Sequence, residues 1–309
     1  PYTTLVRSGA GARLFRDLPY TCTMNPALGH EVEPEYEITP ATVKKKIMVI
    51  GAGPAGMECA ITAAKRGHAV TVFEKGDRIG GNLRGYATHD LARPDDLMSV
   101  IRHYEVMAKK LGIEIRFNTE ANAKFMRSML HQFDACVVAA GARIDMAAYD
   151  ALEGRERLID ALEVARGTAQ TGKRVVVIGG GKVGLVVAES LRKKGAEVTI
   201  VEADKRIAGD VMPSFKWRHS AWVEELEIRT FLSSRVTRIT AEGVHVANGK
   251  GEIFVAADSV IAASPRKSSQ ELLRDFEWMI DELHGCGDAL MPRGLDAAIQ
   301  EGFRLGVRI

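Results

Sequence analysis

The sequence predicts an α/β protein made of two doubly wound dinucleotide-binding (Rossmann-like) domains, the second inserted in the first. An apolar strand followed by a G-x-G-x-x-G turn and a helix occurs twice, at Gly51 and again at Gly179. The two copies keep one constant spacing, which indicates an internal repeat. The length of 309 residues also suits about two domains.

The first copy opens with the apolar run Ile47 to Ile50, which suits a buried parallel strand. Three glycines then form the turn: Gly51 allows the tight bend, Gly53 lets backbone approach a pyrophosphate, and Gly56 lets the helix pack closely on the strand. Amide groups and the helix dipole at the start of the helix favour phosphate. A glycine-rich turn that binds nothing is the alternative.

Glu74 closes the second apolar strand, Val70 to Phe73. At that distance from the glycines its carboxylate is expected beside the adenosine ribose, where it accepts hydrogen bonds from hydroxyls and repels a 2'-phosphate. Glu74 therefore favours FAD or NAD over NADP.

Further elements follow as a helix at 95–111, a strand at 113–117, a helix at 123–130 and a strand at 135–141, whose carboxyl end is expected near the cofactor.

The second copy repeats the first 128 positions later, pairing Gly51 with Gly179, Gly53 with Gly181, Gly56 with Gly184 and Glu74 with Glu202. Glu202 again favours a free ribose 2'-hydroxyl and so NADH. Lys205 and Arg206 follow closely and suit a 2'-phosphate, so NADPH stays open. A folded unit without a bound ligand is the alternative for this copy.

The rest of the chain contains a helix, several short strands and a closing helix. The helix at 212–225 carries Trp217 and Trp222, which are expected as core or domain-interface contacts. Strands are expected at 235–240, 244–246, 252–255 and 258–263. Gly287 and Asp288 precede the helix at 295–307; there the aspartate suits a flavin ribityl chain, and an N-cap without a ligand is the alternative.

Composition excludes some classes. Lys plus Arg number 42 against 40 for Asp plus Glu, so no nucleic-acid footprint is indicated. No apolar stretch reaches the roughly 18 residues of a membrane span and no secretory segment opens the sequence, which makes a cytoplasmic location the default expectation. The four cysteines form no C-x-x-C pair, which argues against a disulfide-reductase mechanism.

The motifs GAGPAG, FEKGDRIGGNL, VVAAGA, GGGKVG and GCGDALMPRGLDAAIQEGFRLG together resemble one known family. They are similar to the C-terminal FAD/NAD(P)-binding half of the 2,4-dienoyl-CoA reductase, enoate reductase and trimethylamine dehydrogenase (NADH:flavin oxidoreductase) family, over roughly residues 20–309. The resemblance implies that FAD is bound by Gly51, Gly53, Pro54, Ala55, Gly56, Glu74, Lys75, Gly81, Asn82, Leu83, Ala140, Gly141, Gly287 and Asp288. It implies NADH, with NADPH or ADP as alternatives, at Gly179, Gly181, Gly184 and Glu202.

The segment CTMNPALGHE is similar to the family segment whose cysteine ligates a 4Fe-4S cluster. Four thiolates are normally required for such a cluster. The family's FMN-bearing TIM barrel and its other three cluster cysteines are missing from this sequence. The resemblance thus implies either that Cys22 shares a cluster with a partner chain or that it is a relic. A second departure is Ser264, where the family has glycine and where the larger residue adds bulk beside the expected cofactor path.

These observations predict an N-terminal iron-sulfur or partner-docking arm at 1–41, an FAD domain at 42–145 and 265–309, and an NAD(H)/nucleotide domain at 146–264. The expected function is that of an FAD-containing oxidoreductase subunit, moving electrons between NADH and, via FAD, a separate FMN/TIM-barrel, iron-sulfur partner in a hetero-oligomer. A stand-alone NAD(P)H-dependent flavin or ferredoxin reductase and a non-catalytic ADP-binding structural subunit are the alternatives. No general acid or base is assigned, because hydride transfer to a flavin needs none from this chain.

Overall fold

The computed structural model describes residues 22–89, 94–211 and 213–309. These residues fold into two compact units. Unit 1 comprises the described residues up to Arg84 together with Asp95–Ala142 and Ser268–Ile309. Unit 2 comprises Arg143–Lys267 and the described part of Gly85–Pro94.

The regular elements alternate along the chain as expected of an α/β fold. The helices are α1 (Pro54–Lys65), α2 (Gly81–His89), α3 (Pro94–Lys110), α4 (Ala123–Met129), α5 (Ala161–Arg166), α6 (Lys182–Lys193), α7 (Pro213–Glu225), α8 (Gln270–Phe276) and α9 (Leu295–Arg308). The strands are β1 (Lys46–Ile50), β2 (Ala69–Phe73), β3 (Glu114–Arg116), β4 (Ala135–Val138), β5 (Ala142–Ile144), β6 (Leu158–Asp160), β7 (Arg174–Ile178), β8 (Glu197–Val201), β9 (Arg229–Phe231), β10 (Arg235–Ile239), β11 (Gly243–Asn248), β12 (Gly251–Ala256), β13 (Ser259–Ala262), β14 (Arg266–Ser268) and β15 (Leu283–Gly285).

Unit 1 contains a five-stranded parallel sheet of order β15-β4-β1-β2-β3. The central strand β1 is apolar and buried from Ile47 to Ile50, as a strand flanked on both sides in a parallel sheet must be. Helix α9 packs on α1 through small residues: a Cβ added at Gly302 would lie 2.3 Å from the carbonyl oxygen of Ala55. Glycine there permits the close approach of the two helices.

Unit 2 repeats this plan. Its parallel sheet has the order β6-β13-β7-β8-β9, so β7, β8, β9 and β13 take the places that β1, β2, β3 and β4 take in unit 1. A three-stranded antiparallel sheet of order β10-β11-β12 follows β9. The internal repeat therefore extends from motif spacing to strand order. The fold is the expected α/β pair of Rossmann-type units.

The described part of the N-terminal arm lies along α9 of unit 1. Tyr36 is 5% exposed, and its ring stacks on Phe303 with centroids 6.0 Å apart. The guanidinium of Arg304 lies 5.1 Å from the same ring centroid, and its Nε donates to the Tyr36 hydroxyl at 2.9 Å. The arm is thus attached to unit 1 by an aromatic and cationic contact.

One expected core residue is at the surface. Trp217 on α7 is 65% exposed, so the prediction that it is a core residue is wrong. The guanidinium of Arg218 lies 5.9 Å from the Trp217 ring and 5.1 Å from the Trp222 ring, and this cation–π contact covers part of both rings. Within the described residues, no helix is both long and apolar enough to cross a membrane.

Candidate functional site

The first glycine turn lies between β1 and α1 and is tight at two of its three glycines. Gly51 has φ +105°, and a Cβ there would lie 2.4 Å from the carbonyl oxygen of Ala139 at the end of β4. A Cβ at Gly56 would lie 2.0 Å from the carbonyl oxygen of Gly51. A Cβ at Gly53 would meet nothing within 4 Å. Gly51 and Gly56 thus allow close backbone packing that a side chain at either position would prevent. Gly53 instead borders open space in front of the start of α1.

The carboxylate of Glu74 organises the same turn. Glu74 follows β2 and is 9% exposed. Its Oε2 accepts a hydrogen bond from the Ala52 amide at 2.7 Å, and its Oε1 accepts one from the Gly76 amide at 2.7 Å. Each carboxylate oxygen has capacity for a further hydrogen bond. Glu74 therefore fixes the glycine turn and keeps acceptor capacity for hydroxyl groups beside it.

The segment after Glu74 returns to the turn. The Gly80 amide donates to the carbonyl oxygen of Ala52 at 2.9 Å, and a Cβ at Gly81 would lie 3.1 Å from the Cα of Gly53. Asn82 donates from Nδ2 to the carbonyl oxygen of Ala142 at 2.9 Å. Leu83 is buried and Lys75 is exposed. Of the residues predicted here, Gly81 lies against the glycine turn, and the Lys75 side chain is turned to solvent.

Two further predicted FAD residues, Pro54 and Ala55, begin α1. The remaining ones follow β4 and β15, which pair with each other, and β4 also pairs with β1. Ala140 and Gly141 follow β4, and Gly141 has φ +75°. Asp288 sits in a 3₁₀ turn, Gly287–Ala289, and its Oδ1 accepts from the Arg293 amide at 2.8 Å. The N-cap of α9 is Gly294, so Asp288 is not the N-cap of that helix.

A glutamate that the sequence analysis missed shapes the same end of unit 1. Glu301 on α9 accepts from the Gly287 amide through Oε2 at 2.8 Å, and its Oε1 lies 2.5 Å from Nη2 of Arg293. Glu301 lies fourteen residues after Gly287, within the helix that follows; it falls inside the motif GCGDALMPRGLDAAIQEGFRLG, but the sequence analysis gave it no role. It fixes the loop that carries Asp288.

The second glycine turn, between β7 and α6, reproduces the first. Gly179 has φ +106°, and a Cβ at Gly184 would lie 1.9 Å from the carbonyl oxygen of Gly179. Glu202 accepts from the Gly180 amide at 2.6 Å and from the Asp204 amide at 2.8 Å, the counterparts of the Glu74 contacts. Both copies therefore hold a glutamate carboxylate on the backbone of the turn in the same way.

The second turn differs in what occupies its open side. Asp210 Oδ1 accepts from the Lys182 amide at 2.7 Å, and a Cβ at Gly181 would lie 3.0 Å from the same oxygen. A Cβ at Gly179 would lie 2.6 Å from Cβ of Ser264, so the serine that departs from the family pattern lies against this second turn. The space before α6 is filled by protein atoms where the space before α1 is open.

Tyr149 also belongs to this second turn and was not found from the sequence. Its hydroxyl donates to the carbonyl oxygen of Ser264. Burial raises the pKa of Tyr149 to about 12, so it is a neutral donor at neutral pH. Lys205 and Arg206, the residues that left NADPH open, are both exposed.

Three of the four cysteines are buried and poorly suited to thiol chemistry. All four are free, and burial raises the pKa of Cys136 to about 12, raises that of Cys286 to about 12 and raises that of Cys59 well above its usual range. A thiol held protonated is a poor nucleophile. Cys22 is partly buried, and the described residues contain no group of three or more His, Cys, Asp or Glu side chains placed to hold a metal ion. This part of the chain therefore supplies no complete ligand set for a cluster.

The geometry fits dinucleotides. In unit 1 the open space at Gly53, the helix start behind it and the fixed Glu74 carboxylate match the needs of a pyrophosphate and a ribose. The fold and the two turns define the chain as a two-unit dinucleotide-binding oxidoreductase. It belongs to the pyridine nucleotide-disulphide oxidoreductase family, whose model matches residues 8–124 and 45–285. This family binds FAD and NAD(P)H.

The chain is similar to two known proteins and to one solved structure. The chain is 30% identical to a metal reductase of Desulforamulus reducens, over 96% of this chain and 48% of the relative. It is 32% identical to an NADH oxidase of Thermoanaerobacter brockii, over 97% of this chain and 46% of the relative. The structure of a 2-naphthoyl-CoA reductase in complex with 2-naphthoyl-CoA superposes with a TM-score of 0.92 at 32% identity, covering 98% of this chain and 46% of that chain.

These matches confirm the resemblance to the pyridine nucleotide oxidoreductase half of the enoate reductase family. They also confirm the oxidoreductase class, since the relatives are reductases and an oxidase. The chain spans about half the length of the relatives it matches.

Proposed function

We propose that this chain binds FAD in unit 1 and NADH in unit 2 and moves electrons between NADH and, via FAD, a partner that carries a flavin or an iron-sulfur cluster. The observation that carries the proposal is the repeated turn: one chain contains two glycine turns, each braced by a glutamate carboxylate. The turn in unit 1 suits FAD, and the repeated turn in unit 2 suits NADH. The names of the NADH oxidase and the metal reductase support a redox reaction that uses NADH.

In unit 1 the residues bind and orient. Gly53 admits the pyrophosphate to the amides at the start of α1, where the first turn of a helix has no intrahelical acceptors for its N–H groups. Glu74 accepts hydrogen bonds from the ribose hydroxyls, and Asp288 accepts them from the ribityl chain. When bound, FAD supplies the capacity to take a hydride from NADH and to release electrons singly or in pairs.

In unit 2 the same parts hold a pyridine nucleotide. Gly181 occupies the position of the turn that approaches the pyrophosphate, Gly179 and Gly184 allow the tight turn and the close packing of α6, and Glu202 faces the adenosine ribose. Because Glu202 is already fixed by two backbone amides, its negative charge is held where a 2'-phosphate would lie. This arrangement favours NADH over NADPH. The exposed Lys205 and Arg206 keep NADPH as the alternative.

Two observations support the proposal of a partner chain. The relatives are about twice as long, and the described residues contain no complete cluster ligand set. We place Cys22 as one ligand of a shared 4Fe-4S cluster and the segment 1–41 as the docking arm of an FMN/TIM-barrel partner in a hetero-oligomer. Tyr36 attaches the arm to α9, which positions Cys22 against unit 1: the Cys22 carbonyl oxygen accepts from Gln300 Nε2 at 3.5 Å.

One observation favours a second candidate. Asp210 fills the open side of the second turn, as expected if unit 2 binds a smaller nucleotide such as ADP or none at all. In that case the chain is a non-catalytic nucleotide-binding subunit. A stand-alone reductase of flavins or ferredoxins is the third candidate, and in it Cys22 has no role.

The test is an absorbance spectrum of the protein purified natively and without oxygen, recorded before and after addition of NADH. The proposal expects flavin bands that bleach, a co-purifying chain and a broad iron-sulfur shoulder. Cys22→Ser should remove the shoulder and leave the flavin bands. Flavin bands that do not bleach would establish the nucleotide-binding subunit, and bleaching without partner or shoulder would establish the stand-alone reductase.

A further inference from the structure

The second turn carries an acidic residue at the position where the first turn carries an amide. Asp210 lies 128 positions after Asn82, the same spacing that relates the glycines of the two turns. The surrounding backbone is also repeated: the Ala208 amide donates to the Gly180 carbonyl oxygen at 2.7 Å, as the Gly80 amide does to that of Ala52 at 2.9 Å. Asn82 and Asp210 are therefore structural counterparts.

These two side chains make opposite contacts. Asn82 donates from Nδ2 to the carbonyl oxygen of Ala142, whereas Asp210 accepts from the Lys182 amide in the first turn of α6. The counterpart of Lys182 is Pro54, which has no N–H to donate. The first copy thus lacks the very donor that Asp210 uses. Because of these two differences, the start of α1 borders open space, whereas the start of α6 is covered by the Asp210 carboxylate.

The place that Asp210 occupies is the place that a pyrophosphate needs. A Cβ added at Gly181 would lie 3.0 Å from Oδ1 and 3.3 Å from Oδ2 of Asp210, so the carboxylate fills the space that this glycine opens. In the first copy, the same position at Gly53 faces nothing within 4 Å. A carboxylate and a phosphate are both anions that the N-terminus of a helix attracts. They cannot hold the same amide at once.

We propose that Asp210 is an internal competitor of the dinucleotide pyrophosphate, so that unit 2 binds its nucleotide only after this carboxylate leaves the Lys182 amide. The inference rests on the proposed function of unit 2 as a dinucleotide site. Asp210 is exposed, so it can swing into solvent without leaving a buried charge behind. The cost of this displacement lowers the apparent affinity for the nucleotide, because only the displaced form is competent to bind. Asp210 thereby sets how much reductant is required before unit 2 is loaded.

The test is a calorimetric titration with NADH, without oxygen, of the full chain whose bound FAD has been reduced beforehand with dithionite, so that the heat reports binding and not hydride transfer. Asp210→Asn keeps an acceptor near Lys182 but removes the charge, and Asp210→Ala removes both. Each variant is expected to bind NADH about tenfold more tightly than the original chain at low salt, the scale of effect that follows from removing one like charge beside a bound anion. Near 1 M salt, where the Debye length is about 3 Å, the advantage of Asp210→Asn should shrink strongly.

Glu225→Gln is the matched control, because it removes one exposed carboxylate of unit 2 from α7. It should leave the NADH affinity unchanged. Equal or weaker binding by both Asp210 variants, or an equal gain in the Glu225 variant, overturns the competitor role while leaving the dinucleotide site in place. If neither the original chain nor any Asp210 variant binds NADH while FAD stays bound, the proposed function of unit 2 has failed and the competitor role falls with it.

Discussion

Glu74 Oε2 accepts a hydrogen bond of 2.7 Å from the backbone amide of Ala52, within the first glycine turn. The contact joins the end of β2 to the turn after β1, so the Glu74 carboxylate and the backbone of the glycine turn are held as one piece. Its counterpart in unit 2 joins Glu202 to Gly180 at 2.6 Å. The pair of contacts allows each nucleotide site to be perturbed by an equivalent change while the other serves as reference.

Glu74→Gln should weaken FAD binding without affecting NADH binding, and Glu202→Gln should do the reverse. The amide keeps one acceptor but loses the charge that strengthens hydrogen bonds to the backbone and to ribose hydroxyls. Hydrogen bonds to charged groups contribute about 1.5–3 kcal/mol, so a loss of about tenfold or more in affinity is expected. FAD retention after gel filtration and NADH titration are the measurements. If Glu74→Gln left FAD retention unchanged, the ribose assignment would be wrong.

Gly53→Ala and Gly56→Ala should separate binding from folding. Gly53 has extended backbone, φ −76° and ψ 178°, and a Cβ there meets nothing within 4 Å, so the apoprotein should unfold at the same temperature as the original chain. The added methyl group should lower FAD affinity by about tenfold, or about 1.4 kcal/mol.

A Cβ at Gly56 would lie 2.0 Å from the Gly51 carbonyl oxygen, so Gly56→Ala should destabilise the fold by about 3 kcal/mol. Thermal unfolding of both apoproteins, followed by FAD titration, checks the pair. Equal unfolding temperatures for the two variants would contradict the geometry of the turn.

Tyr36→Ala should loosen the arm and destabilise unit 1. Tyr36 is 5% exposed and packs on Phe303 and Arg304, so truncation removes a buried ring and a hydrogen-bond acceptor. Large aromatic truncations cost about 3 kcal/mol. Val32→Ala, at a position that is 96% exposed in the same arm, should cost under about 0.5 kcal/mol. Urea unfolding measures both. Equal stabilities would show that the arm is not anchored by Tyr36.

Glu58 on α1 should make unit 1 less stable as the pH rises. Burial raises the pKa of its carboxyl from 4.5 to about 7, against the opposing effects of Lys65 and Tyr104. Between those two pH values the folded state binds more protons than the unfolded state, so the free energy of unfolding falls with rising pH. Glu58→Gln should remove this dependence and stabilise the protein above pH 7, by about 3 kcal/mol at most.

Urea unfolding at pH 5 and at pH 8 is the measurement for Glu58. The exposed Glu120 supplies the control Glu120→Gln, which should keep the pH dependence of the original chain. A pH dependence that survives in Glu58→Gln would contradict the role of this carboxyl.

Alkylation should distinguish Cys22 from the other cysteines. Cys59, Cys136 and Cys286 are buried and Cys22 is partly exposed, so in the chain freed of partner and cluster iodoacetamide should modify one thiol per folded chain and four after unfolding. Cys22→Ser should abolish the fast reaction. Peptide mass analysis identifies the modified residue, and fast modification of Cys286 would contradict the structure.

Much of this molecule follows from local pattern. Apolar runs predicted most strands of the two parallel sheets: the expected strand 70–73 is Ala69–Phe73, and the expected helix 95–111 is Pro94–Lys110. The short strands β6, β9 and β15 were not predicted. The constant repeat spacing anticipated the matching contacts of Glu74 and Glu202. These features depend on residues close in sequence, because the periodicity of apolar residues and the positions of glycines are set within one strand-turn-helix segment.

The features that the sequence did not reveal depend on contacts across long stretches of chain. Asp210 and Lys182 are 28 residues apart, Tyr149 and Ser264 are 115 apart, and each pair meets only in the folded chain. Trp217 was placed in the core by its residue type, whereas its face of α7 is open to solvent. Comparing the two copies position by position would have flagged Asp210 opposite Asn82.

The order of strands in unit 1 constrains the order of events during synthesis. Strand β15 and helix α9 complete the sheet and cover α1, yet both follow the whole of Arg143–Lys267 in the chain. Unit 2 is nearly continuous and can close as soon as its last strand leaves the ribosome. Unit 1 must wait, with β4 presenting an unpaired edge until β15 arrives. We therefore expect unit 2 to fold before unit 1 during synthesis, so that the FAD site proposed for unit 1 is completed last.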